Sequence, residues 1–178
     1  MTTWIALLRG INVGGNNILP MKDLTMMLEN MGCTGVKTYI QSGNVVFSKA
    51  GAKAPKLAKS IGQSVLSSHG FEPNVQVLTA EELENAAMSN PFPNAVADPK
   101  SLHVSFLNAE PKAPDEKMLG EIKSKTESYV LKGKLFYLHA PDGIGRSKLA
   151  AKAEKLLGVE ATGRNWRTVS KLLDLTRG

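Results

Sequence analysis

Gly35-Val36-Lys37-Thr38-Tyr39-Ile40-Gln41-Ser42-Gly43-Asn44-Val45-Val46-Phe47-Ser48 reads as two short strands, about 35–41 and 44–48, with Ser42-Gly43 as a tight turn between them. What surrounds this hairpin decides the fold. Upstream, residues 3–9 form a strand and Pro20 to Met31 a helix. In that helix Leu24, Met27, Leu28 and Met31 make one apolar stripe, and Gly32 stands where a left-handed cap is wanted. Downstream, residues 54–69 form a second helix buried along Leu57, Ala58, Ile61 and Val65 and stopped by Gly70, and residues 73–79 form a strand. Strand, helix, strand, strand, helix, strand is the split βαβ order of ferredoxin-like folds. The first strand, Trp4-Ile5-Ala6-Leu7-Leu8, is apolar on both faces and so calls for cover on both.

The remainder predicts a second α+β half. A short helix spans Glu81 to Met88, Asn90-Pro91-Phe92-Pro93 breaks it, and Ser101 to Leu107 alternates as a strand. Asp115 to Lys125 is a helix, Tyr129 to Lys132 and Leu135 to Ala140 form a hairpin around Gly133, and Pro141-Asp142-Gly143 turns. Helices follow at Ser147 to Leu157 and Asn165 to Leu175, the second with Trp166, Val169, Leu172 and Leu173 inward. This order echoes the first half without its last strand. The expected division is 1–80, a ferredoxin-like α+β half, and 81–178, a second half with C-terminal helices.

Bulk properties bound the function. The chain has 178 residues, 42% apolar and 21% charged, with one cysteine, Cys33. A single cysteine excludes an internal disulfide, and the run before Arg9 is too short for a signal-peptide core, so the expected compartment is the cytoplasm, with no membrane partner. The net charge of +6 is uneven. Residues 1–79 carry seven basic and three acidic groups, 80–131 five and nine, and 132–178 ten and four. The basic C-terminal segment suits nucleic acid or a phosphorylated ligand, or is simply a solvated lysine-rich surface.

The densest polar stretch is Arg9-Gly10-Ile11-Asn12-Val13-Gly14-Gly15-Asn16-Asn17, a loop of backbone amides, an arginine and three asparagines ahead of the first helix. Helix N-termini and glycine loops favour anions. In the split βαβ fold the first and third strands are antiparallel neighbours, which brings Arg9, Gly10 and Asn12 beside Gln41, Ser42, Gly43 and Asn44. The expected ligand-binding residues are Arg9 as charge clamp, Gly10, Gly14 and Gly15 for close backbone approach, and Asn12, Gln41, Ser42 and Asn44 to orient a small anionic ligand. The competing structural reading is that the glycines only supply positive φ, Asn16 and Asn17 cap the helix or satisfy loop backbone, and Arg9 makes an ion pair.

Other chemistry finds little support. Gly10 and Gly15 have the spacing of a P-loop, but Asn16 and Asn17 replace its lysine and hydroxyl, which excludes a P-loop NTPase. His69, His103 and His139 lack metal-ligand spacing, although His103 and His139 are placed to meet across a sheet. No Ser-His-Asp or paired-carboxylate arrangement is evident, and neither cofactor nor metal is called for. Cys33 reads as a small buried hydrophobe. Strand one offers only Trp4 and strand three only Phe47, and the signature of an RNA-binding sheet is missing.

Two motifs, Ala6-Leu7-Leu8-Arg9-Gly10-Ile11-Asn12-Val13-Gly14-Gly15 and Tyr39-Ile40-Gln41-Ser42-Gly43-Asn44-Val45-Val46-Phe47, resemble a bacterial family known only as domain of unknown function 1697. Thr162-Gly163-Arg164-Asn165-Trp166-Arg167-Thr168-Val169 looks like its third signature. The resemblance implies a small cytoplasmic α+β protein and supplies no activity, substrate or catalytic residue. The third signature predicts that Asn165 caps the last helix, Trp166 anchors it, and Arg164, Arg167 and Lys171 lie on one side beside Arg146, Lys148 and Lys152.

Overall fold

The structure, a computed structural model, describes all 178 residues. It divides into two compact units, Met1–Asn85 with Ser170–Gly178, and Ala86–Val169. The first unit holds β1 (Thr2–Arg9), α1 (Met21–Asn30), β2 (Thr34–Tyr39), β3 (Asn44–Lys49), α2 (Ala54–His69) and β4 (Asn74–Thr79). Its sheet has the order β2-β3-β1-β4, antiparallel throughout, which is the split βαβ arrangement read from the sequence.

The core follows from the strand periodicity. Trp4, Ala6 and Leu8 of β1 and Val45 and Phe47 of β3 share a buried cluster with Leu24 and Leu28 of α1 and Leu57, Ile61 and Val65 of α2. Burying each large side chain contributes about 1.5–3 kcal/mol. Ile5 and Leu7, on the opposite face, are also buried, so β1 is covered on both sides as its apolar run requires. Gly70 takes φ +78° and ends α2, since only glycine adopts that conformation without a Cβ penalty. Cys33 is buried, and desolvation raises its thiol pKa, partly offset by Lys49.

The chain continues through α3 (Ala80–Met88), a 3₁₀ turn at Pro93–Ala97, β5 (Leu102–Leu107), α4 (Glu116–Ile122), β6 (Ser128–Lys132), β7 (Leu135–His139), α5 (Lys148–Leu157), β8 (Ala161–Asn165) and α6 (Trp166–Arg177). The second sheet runs β6-β7-β5-β8, again antiparallel. Its helix-side core joins Leu107, Phe136 and Leu138 to Leu119 of α4 and to Leu149, Ala153 and Leu157 of α5.

Strand β8 corrects the expectation that the second half lacks its last strand. Ala161-Thr162-Gly163-Arg164-Asn165 pairs with β5 from Leu107 to His103. Its pattern is silent because it is an edge strand with one fully buried residue, Thr162. A Cβ at Gly163 would stand 3.1 Å from Ser105 Oγ, so the missing side chain lets the strands pack. Both halves therefore have the same order of elements. The β2–β3 connection also differs from its reading: it is a four-residue turn, Ile40 to Gly43, in which Ile40 takes φ +49°.

Candidate functional site

The loop after β1 is not an open cradle leading into α1. Val13 and Asn16 form a β-bridge, Asn12 N donates to Asn17 O at 3.0 Å, and Asn16 N donates to Val13 O at 3.0 Å. Gly14 and Gly15, at φ +59° and +75°, form the tip of this small hairpin, a pair of left-handed positions suited to two glycines. Ile11 and Leu19 are buried at its two ends. The α1 cap is Pro20, with no side-chain hydrogen bond, so Asn16 and Asn17 do not cap the helix. The Asn17 amide instead donates to Gly10 O at 3.0 Å.

The two predicted stretches do meet. Leu7 pairs with Asn44, Leu8 N donates to Gly43 O at 2.8 Å, and Asn12 Nδ2 donates to Gln41 O at 2.7 Å. The contacts that join them also consume the side chains expected to orient a ligand. Asn12 donates to Leu19 O at 2.9 Å as well, and its Oδ1 accepts from Leu19 N at 2.8 Å. Asn44 is fully buried, and its amide donates to Tyr39 O at 3.1 Å and Ser42 Oγ at 3.0 Å. A Cβ on Gly43 would stand 2.7 Å from Leu8 Cβ and 2.8 Å from Ile11 Cδ1. Arg9, Gly10, Gly14, Gly15, Gln41 and Ser42 are exposed around this framework, with Arg9 engaged in an interaction of its own.

The second unit carries a concave site that the sequence reading passes over. A cleft of about 500 Å³ is lined by Ile122, Ser124, Glu127, Asp142, Arg146 and Lys148. Gly143-Ile144-Gly145-Arg146-Ser147-Lys148 forms one wall. Gly143 sits at φ +97°, a 3₁₀ turn covers Ile144–Arg146, and Ser147 caps α5 by accepting from Ala150 N at 2.9 Å. No acidic residue occupies the first turn of α5. Two cations thus stand at the positive end of a helix, where dipole and unpaired amides favour negative charge.

The opposite wall is the 122–127 loop. The Glu127 carboxylate accepts from Ser124 N at 2.9 Å, and Lys123 Nζ donates to the carbonyls of Ser124 and Glu127. Asp142 accepts from the Thr126 hydroxyl. The carboxylates of the cleft are therefore hydrogen-bonded to its own walls, whereas Arg146 and Lys148 make no ion pair. The signal was present in the string, as two glycines followed by arginine, serine and lysine at a helix start.

The third signature is mainly structural. Asn165 Oδ1 accepts from Thr168 N at 3.0 Å and so caps α6, and Trp166 is buried. Arg164 lies half-buried in β8, where it donates to Gly163 O at 2.9 Å and desolvation lowers its pKa to about 10. His103 and His139 do not meet. Leu102 pairs with His139 and His103 with Leu138, which sets the imidazoles on opposite faces of the sheet. The His139 ring instead lies tilted against Phe92, with centroids 6.1 Å apart. No helix is long and apolar enough to cross a membrane.

No curated protein matches this chain. A solved structure described as conserved bacterial protein SP0830 from Streptococcus pneumoniae covers 98% of this chain and 98% of its own, with a TM-score of 0.65 and 23% identity, a likeness of fold alone. The family model described as "Protein of unknown function (DUF1697)" matches residues 1–137 of the 178, and the chain belongs to that family.

Proposed function

We propose that this protein binds a small anionic, phosphorylated ligand in the cleft of its second unit. The observation that carries the reading is the placement of Arg146 and Lys148, neither in an ion pair, on one wall of a defined cleft at the start of α5. A phosphate there neutralises two cations that otherwise oppose the helix dipole. Glu127 and Asp142 on the lining suit hydroxyl or amino groups on the rest of the ligand.

The N-terminal rim is the second reading, favoured by the convergence of exposed Arg9, Gly10, Gln41 and Ser42 on a rigid frame. There Arg9 and the backbone at Gly14 and Gly15 hold the anion, while Asn12 and Asn44 position the loops rather than touch it. Nucleic-acid binding through the basic C-terminal region is less well supported, because Arg164 is half-buried in β8 and turns its guanidinium to Gly163 O at 2.9 Å.

Thermal shift with inorganic phosphate and pyrophosphate separates these readings, since selective binding to the folded state raises Tm. The cleft reading expects a rise that survives Arg9→Ala and disappears in the Arg146→Ala, Lys148→Ala double variant. The reverse pattern places the anion at the rim. A shift unaltered by either variant, or no shift at all, overturns both.

A further inference from the structure

Separate from either anion site, the first unit holds a serine, a histidine and an aspartate in hydrogen-bonded sequence. His69, the last residue of α2, places Nε2 3.1 Å from Asp23 Oδ2 in the first turn of α1, and its Nδ1 lies 2.7 Å from Ser68 Oγ. The histidine side chain is 18% exposed and the aspartate 37%. Ser68 itself is exposed. The serine is a solvent-reachable hydroxyl, and the imidazole beside it is fixed by a third group.

Proton placement gives this chain a direction. Asp23 accepts, so Nε2 must carry a hydrogen. In a neutral ring Nδ1 is then bare, and the hydroxyl at 2.7 Å donates to it. In the imidazolium both nitrogens donate, and the hydroxyl turns to the Ser64 carbonyl, also 2.7 Å away. Deprotonating His69 therefore swings the Ser68 proton from an inert backbone acceptor onto a base. That is the arrangement that activates a serine nucleophile.

A place for an acyl group adjoins it. A groove of about 520 Å³ between α1 and α2 is lined by Met27, Asn30, Met31, Gln63, Ser64 and Ser67, and Ser68 borders it through Met27. Ser68 Oγ lies 3.3 Å from Met27 Sδ, so the hydroxyl touches one of the two methionines on the groove's edge. Two flexible methionines suit an unbranched acyl chain, and the amides of Asn30 and Gln63 supply hydrogen-bond donors nearby.

We infer that Ser68, His69 and Asp23 form a nucleophilic site for small carboxylic esters with a short unbranched acyl group. Ser68 Oγ attacks the carbonyl carbon while its proton passes to His69 Nδ1. The tetrahedral intermediate collapses, the bond to the alkoxy oxygen breaks, and the Nδ1 proton leaves with the alcohol. Water, deprotonated by the same nitrogen, attacks the acyl-serine; the bond from the acyl carbon to Ser68 Oγ breaks, the Nδ1 proton passes to Oγ, and the carboxylic acid leaves.

Ser67 is a control in the same molecule. It is exposed, lines the groove itself and bonds Gln63 O at 2.9 Å, as Ser68 bonds Ser64 O, but it has no histidine contact, so labelling that follows the groove alone favours Ser67. The full chain is treated at pH 8 with a fluorophosphonate, which loses fluoride to an activated serine, and the adducts on Ser67 and Ser68 are quantified by peptide mass spectrometry. The site predicts at least about tenfold preference for Ser68, a preference that collapses in His69→Asn. Hydrolysis of p-nitrophenyl butyrate should fall at least about tenfold in Ser68→Ala. Equal labelling of the two serines in the unaltered chain, or a preference that His69→Asn leaves intact, overturns the inference. The labelling ratio is unaffected by loss of the cleft cations, so it fails or holds independently of the anion reading.

Discussion

The rim of the first sheet and the cleft of the second unit use similar ingredients for different ends. Each combines glycines, amides or hydroxyls and cations close to a helix start. At the rim, Asn12 makes three hydrogen bonds to backbone and Asn44 two bonds within its own turn, so the polar side chains hold two loops together. In the cleft the hydroxyl of Ser147 performs the capping, the carboxylates are bonded to the walls, and the cations are left in no ion pair. Polar density along a chain is therefore a poor guide to a site. What counts is which polar atoms remain after the backbone has been satisfied.

The difference predicts opposite responses to substitution. The largest effect belongs to the rim. Gly43→Ala forces a Cβ into Leu8 and Ile11 at φ +86°, and should lower unfolding free energy by about 3 kcal/mol or more in urea denaturation. Asn44→Ala empties a fully buried position and removes the donor to Tyr39 O, and Asn12→Ala unties the loop from Gln41 and Leu19. Each should cost about 2–3 kcal/mol by the same measurement.

The second unit should show its own pH limit, distinct from any change at the cleft. Tyr137 is buried with its hydroxyl donating to Ala86 O at 2.7 Å, and burial raises its pKa to about 12. The folded state thus holds this proton more tightly than the unfolded one. The associated stability is present below pH 10 and is lost as pH rises toward 12, by at most about 2–3 kcal/mol. Alkaline urea titrations compared with Tyr137→Phe, which should show a shallower decline, test this.

The smallest effect is in the cleft and has the opposite sign. Without added anion, replacing both Arg146 and Lys148 by alanine should leave stability unchanged or raise it by about 0.3–1 kcal/mol at low salt, because two cations leave the positive end of α5. A loss of 2 kcal/mol or more would mean that these side chains hold structure, as Asn12 does, and would erase the contrast.

Much of the architecture was legible because it rests on periodicity and punctuation. Helix α2 matches its expected bounds, 54–69, since four apolar positions at helical spacing end at a glycine. Convergence of the β1 loop with the β2–β3 turn was legible too, as a consequence of strand order. The roles of Asn12 and Asn44 were not, because their partners are backbone atoms that only the folded loop brings near. Ile40 at φ +49° contradicts the preference of a β-branched residue and gives no warning in sequence. Strand β8 escaped because an edge strand with a glycine and a single buried threonine has no alternation to read. The cleft needs the 122–127 loop to face Gly143–Lys148, a meeting that no local pattern records.

The central claim is tested most directly by adding pyrophosphate to ¹⁵N-labelled protein and following each backbone amide by NMR. The account predicts saturable shifts centred on Gly143 to Leu149 and on Ser124, with residues 10–17 and 40–44 unmoved. Shifts confined to those rim segments, or none that saturate anywhere, would contradict it.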